Sequence, residues 1–145
     1  MNRRPFLTFV VLSVLILALW PSRARAEWKV IVHPSNPVTS ISKPRLSRFL
    51  LKSTTTWDNG GKVLPVDQKV TSSARDGMSR VVHGRSARVI KNWWNQQIFA
   101  GKGVPPPELG SDAKVVTFVL GNPGAIGYVD GAAPTGDAKV ITVTD

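Results

Sequence analysis

Two serines and an arginine, Ser72, Ser73 and Arg75, stand where a helix is expected to open, and together they could hold an oxyanion. Such a site needs fixed backbone N–H donors, the positive end of a helix dipole and a guanidinium fork, and this stretch supplies all three. The same residues also have a plain structural use. A serine ahead of a helix commonly caps it, and Arg75, Arg80, Arg85 and Arg88 would commonly form a solvated face. Other chemistry is sparse. The chain has no cysteine, which removes thiol catalysis, thiolate zinc sites, Fe–S clusters and disulfides. Two histidines make a His-rich metal site unexpected, so no metal and no cofactor is foreseen. Gly101-Lys102-Gly103 resembles a phosphate loop only superficially, because Gln96 and Gly103 stand where the motif needs Gly and Ser or Thr. Gly84-Arg85-Ser86-Ala87-Arg88 fails as a nucleophile elbow at its last position. His33 reads as a strand-end residue and His83 as a helix-end one, where a cationic imidazole would suit the dipole. No catalytic residue and no enzyme activity is expected.

The elements that must position these groups follow from periodicity and punctuation. Trp28 to His33 reads as a strand, ended by Pro34 and Asn36-Pro37. Ser42 caps a helix with Pro44 in its first turn and Leu46, Phe49 and Leu50 on one face. After the turn Asp58-Asn59-Gly60-Gly61, anchored by Trp57, Lys62 to Asp67 is a short strand in which Pro65 suggests a sheet edge. Ala74, Met78, Val81 and Val82 stripe a helix that Gly84 ends. Ser86 caps a second, striped by Ile90, Trp93, Trp94 and Ile98, which places Trp93 or Trp94 against the sheet. Gly101 to Pro107 is a break, and Ser111 or Asp112 opens a helix carrying Val115, Val116, Val119 and Leu120. Ala125 to Val129, where Tyr128 should pack, and Lys139 to Thr144 are the last strands. The order β-α-β-α-α-α-β-β predicts an α/β domain, a small mixed sheet packed with helices.

Residues 1–26 have the plan of a secretory signal peptide. A basic start, an apolar run from Phe6 to Trp20 and Ala24-Arg25-Ala26 before Glu27 predict cleavage after Ala26. The run is shorter than the roughly 20 residues that span a bilayer, so no stable membrane span is expected after cleavage. Four of the 19 basic residues (Arg3, Arg4, Arg23, Arg25) and none of the nine acids lie there, leaving residues 27–145 with 15 basic against nine acidic groups, a balance of +6. An exported basic domain attracts anions or acidic partners. Nucleic acid is not expected as a partner.

Taken in order, the motifs resemble the phosphate-binding proteins of ABC importers, in the type 2 periplasmic binding protein superfamily. The resemblance runs through Val32-His33-Pro34-Ser35-Asn36-Pro37-Val38, Leu46-Ser47-Arg48-Phe49-Leu50-Leu51-Lys52, Trp57, and Val63-Leu64-Pro65-Val66-Asp67-Gln68. It continues in Trp94-Asn95-Gln96-Gln97-Ile98-Phe99-Ala100-Gly101-Lys102-Gly103 with Pro105-Pro106, and in Asn122-Pro123-Gly124-Ala125-Ile126-Gly127-Tyr128-Val129, the most specific segment. It implies a periplasmic α/β domain with a history of oxyanion binding. Full-length members have two lobes that close on phosphate, and residues 27–145 correspond in size to one. The family's phosphate-binding Ser-Gly-Thr segment with a preceding Arg-x-Asp-Gly has no clear match in Val70-Thr71-Ser72-Ser73-Ala74-Arg75-Asp76-Gly77, and Leu51 replaces the Gly of a Phe-x-Gly segment.

Two readings follow. One is a small solute-binding protein that binds phosphate or a similar oxyanion for an importer's permease. The other is a single-lobe interaction or sensory module, contacting an envelope protein, that kept the fold and lost transport. Enclosing a small ion usually takes a second wall, which favours the second reading on physical grounds. The resemblance favours the first, and the solute-binding reading is the one kept first.

Overall fold

The computed structural model describes residues 27–145. The predicted signal peptide and its cleavage point lie outside the described residues. Five strands form one mixed sheet in the order β2-β7-β1-β6-β3. β1 (Trp28–Val32) runs at its centre, antiparallel to β6 (Ala125–Asp130) and to β7 (Lys139–Thr144). β2 (Ser40–Ser42) and β3 (Leu64–Pro65) pair in parallel at the two margins. Pro65 lies in a marginal strand, as its missing N–H requires.

The predicted strand Lys62–Asp67 is cut in two. Val66 separates β3 from β4 (Asp67–Gln68), which leaves the main sheet to pair with β5 (Glu108–Leu109). Pairs this short carry too little periodicity to be read from sequence, and β2, three residues long, escapes the sequence for the same reason.

Both faces of the sheet are covered. On one side Val30, Val32, Ile126, Tyr128 and Ile141 meet Leu46, Phe49 and Leu50 of α1 (Lys43–Leu50) and Ala74, Met78 and Val82 of α2 (Ser73–Val82). On the other, Ile31, Ala125 and Val129 meet Val115 and Val119 of α4 (Asp112–Gly121). The alternation along β1 and β6 is the ordinary period of two, split between two layers of helix. Gly127 sits beneath α4 so closely that a Cβ there would lie 2.7 Å from Val115 Cγ1 and 2.8 Å from Val66 Cγ2.

α3 (Ala87–Phe99) packs against α2. Its predicted stripe is only half right. Ile90 and Trp94 are buried, whereas Trp93 is 37% and Ile98 50% exposed. Trp94 is therefore buried in the outer layer rather than against the sheet, because α2 stands between. Trp93 rests on it edge to face, ring centroids 4.7 Å apart.

The caps follow the sequence. Ser42, Ser72, Ser86 and Ser111 each accept a hydrogen bond from the backbone N–H three residues on. Leu51, in place of the expected glycine, has φ −86° and needs no glycine. The left-handed turn after α1 falls on Lys52 instead, at φ 57°.

Candidate functional site

The three candidate residues are adjacent at the start of α2 and face different ways. Ser72 is the cap: its hydroxyl accepts from Arg75 N at 3.2 Å and donates to Gln68 Oε1 at 2.8 Å. Ser73 is exposed on the first turn. Arg75 turns inward and is 2% exposed, so the expectation of a solvated face fails for it while holding for Arg80, Arg85 and Arg88.

Inside, Arg75 meets acceptors on several sides. Nη1 donates to Gln68 O at 2.6 Å and to Glu108 Oε1 at 2.8 Å, and Nη2 lies 3.4 Å from Asp67 Oδ2. Lys91 of α3 also donates to Glu108 Oε1, at 2.7 Å. Tyr128 donates its hydroxyl to Asp67 Oδ1 from β6. Burial pushes the Asp67 carboxyl up against the pull of Arg75 and raises the Tyr128 phenol well above its ordinary value. Burial also opposes ionisation of Glu108, and its bonds to Lys91 and Arg75 outweigh this and hold its carboxyl low. Burial opposes the charge on Arg75 as well, and Asp67 and Glu108 reverse that effect and raise its pKa.

An acidic group of the chain itself is also wired to the start of α2. Gln68 Nε2 donates to Asp112 Oδ1 at 2.8 Å and to Tyr128 O at 2.9 Å, while Gln68 Oε1 receives the Ser72 hydroxyl. Asp112 lies in the first turn of α4 and accepts from Asp130 N at 3.2 Å. The guanidinium that should grip an external anion is thus neutralised internally, and Ser72 is occupied by its cap and by Gln68. Asp67, Gln68, Glu108, Lys91 and Asp112 were not among the site residues expected from the sequence. Asp67 did carry a signal, a carboxylate ending the apolar run Val63 to Val66. Glu108, beyond a proline-rich break, carried none.

The two histidines lie in separate, local settings. His83 caps the C-terminus of α2, as expected, and its Nδ1 lies 2.7 Å from Ser47 Oγ. Burial and the nearby Arg75 lower its pKa to about 4, so the cationic helix-end imidazole foreseen from sequence is neutral at pH 7. His33, at the end of β1, pairs locally with Ser35. Neither imidazole has a carboxylate partner among the described residues. No cluster of potential metal ligands occurs among the described residues.

A scan against protein-family models finds no match. A search of the curated proteins finds none either. Solved structures do match. An ABC-type phosphate transport receptor from Vibrio cholerae superposes with TM-score 0.64 at 17% identity, over 81% of this chain and 46% of its own. PstS from Borrelia burgdorferi gives 0.56 at 16%, over 81% and 47%. A possible phosphate binding protein from Planctomyces limnophilus gives 0.61 at 15%, over 82% and 42%. The fold is that of the phosphate-binding receptors. It is present over a little less than half of their length, which agrees with the single-lobe α/β architecture read from the motifs. Among the described residues no helix is long and apolar enough to cross a membrane.

Proposed function

We propose that this protein is an exported, solute-binding-like module of one lobe that acts by contact with a partner in the cell envelope, without catalysis and without enclosing an ion. The observation that carries this reading is Arg75, buried and tied to Asp67, Glu108 and the Gln68 carbonyl, where no external anion can use its fork. The likeness to phosphate receptors supports the binding-protein architecture. The +6 balance of residues 27–145 suits an acidic partner surface. Export rests on the first 26 residues and predicts a mature chain beginning at Glu27 in the periplasm.

A second reading keeps phosphate or a similar oxyanion as ligand, for delivery to an ABC permease. Its support is the exposed hydroxyl of Ser73 in the first turn of α2, together with the likeness in fold to the phosphate transport receptor of Vibrio cholerae. Ser72 and Arg75 would then act from behind, fixing the helix start. Titration calorimetry of residues 27–145 with inorganic phosphate at low salt separates the two. Absence of binding at millimolar phosphate is the result expected of the contact module. Saturable binding lost in Ser73→Ala would overturn it in favour of the oxyanion.

A further inference from the structure

At the far end of α2 from Ser72 and Ser73, a cavity of about 540 Å3 opens between α3 and the ends of α1 and α2. Leu51, Val89 and Ile90 supply apolar wall, and Trp93 supplies an aromatic one. Asn92, Gln96, His83 and Arg85 supply the polar groups. No Asp or Glu lines it, and Arg85 has no carboxylate partner among the described residues. His83, neutral and bonded to Ser47, leaves Arg85 as the cation of the cavity.

The walls are held in place from below. The turn between α2 and α3 passes through Gly84 at φ 68°, a left-handed conformation suited to glycine. Its flanks are tied by Ser79 Oγ donating to Arg85 O at 2.7 Å and by Ala87 N donating to Asp76 Oδ1 at 3.0 Å. Trp93 is braced by its edge-to-face contact with buried Trp94. The cavity is a half-open cleft lined about equally by polar and apolar groups. With a braced aromatic ring, two amides and one guanidinium that has no carboxylate partner among the described residues, it has the composition of a small-molecule site, and its volume is in the usual range of roughly 300–1,000 Å3.

We propose that this cavity binds an aromatic carboxylate, its ring lying along Trp93, Val89 and Ile90 and its carboxylate on the Arg85 fork. The apolar wall selects the ring and the unpaired guanidinium selects the charge. Inorganic phosphate fits poorly, since it would leave the apolar wall uncovered. The site is independent of the start of α2 and of either reading of its role.

The test is calorimetric titration of residues 27–145 with 2-naphthoate, its neutral amide and inorganic phosphate, with the indole N–H resonance of Trp93 followed by NMR. Naphthoate is expected to bind and to shift that resonance. Loss of the charge-assisted pair should weaken it by about tenfold in Arg85→Gln and for the amide on the parent. Arg85→Lys should fall between, since it keeps the charge without the fork. Arg88→Gln, outside the cavity, should change nothing, and thermal melts of each variant report whether the fold is intact. Failure of naphthoate to bind at millimolar concentration overturns the proposal. So do equal affinities for acid and amide, or equal losses at Arg85 and Arg88.

Discussion

The hydroxyl of Tyr128 and the carboxylate of Asp67 form a hydrogen bond across two strands of different sheets, with Arg75 on the other carboxylate oxygen. It fastens the small β4–β5 ribbon to the centre of the main sheet. Tyr128 lies in the most recognisable segment of the sequence, and its ring packs as expected, but the phenol oxygen is the part that organises the charges. In Tyr128→Phe a buried carboxylate loses a donor, a change that costs about 1–3 kcal/mol. Urea unfolding at pH 7 should register that loss; an unchanged midpoint would show that the Tyr128–Asp67 bond adds nothing to stability.

Arg75→Ala should destabilise by about 3–5 kcal/mol, the usual cost of removing one partner from a buried ion pair. Arg88→Ala should stay within about 0.5 kcal/mol, as exposed substitutions do. The comparison distinguishes an internal tie from a surface charge, and equal midpoints in urea would contradict the burial of Arg75.

The two adjacent tryptophans should behave differently. Trp94 is 4% exposed, and truncating a buried aromatic to alanine costs about 3–5 kcal/mol. Trp93, with one side in the cavity, should lose no more than about 1.5 kcal/mol, the size of an aromatic pair contact. Trp94 Nε1 is buried without an acceptor among the described residues, so Trp94→Phe should cost markedly less than Trp94→Ala. Thermal melts of the three variants check the order.

Stability should fall as pH drops from about 6.5 to about 4. His83 has its pKa lowered in the fold, so the unfolded chain takes up its proton first and gains from acid. The contribution is present above the unfolded value and is lost on the way down to the folded one, amounting to about 3 kcal/mol at most by the pKa-to-energy conversion. Asp67, with its pKa raised, works in the opposite direction above its ordinary 3.8, and the lowered Glu108 adds acid sensitivity below its ordinary 4.5. His83→Gln should flatten the dependence between pH 6.5 and 5; a variant as acid-sensitive as the parent would place the titration elsewhere.

Gly127→Ala should cost about 1–3 kcal/mol by overpacking, since its new methyl would press on Val115 and Val66 at the sheet–α4 contact. Calorimetric melting of the variant measures it.

Much of this fold was written in local signals. Four serine caps, the punctuation after Leu120 and the alternation in β1 and β6 each act over a few residues, so the sequence alone exposes them. The pairs β3–β6 and β4–β5 were hidden because they are two residues long and their partners are remote in the chain. Ser72, Ser73 and Arg75 were found as neighbours, but their roles depend on Glu108, 33 residues further on, and on Asp67 beneath the helix. A helical wheel places an arginine on a face; only the assembled layers decide whether carboxylates wait behind it. The α3 stripe failed in the same way, since Ile98 and Trp93 satisfy the period without any element covering them.

The margins of the main sheet are strands of three and two residues, one of them containing Pro65. Unpaired backbone at such an edge is the usual template for strand addition between molecules. Here each edge is only two or three residues long, which leaves little unpaired backbone for a foreign strand to hold in register.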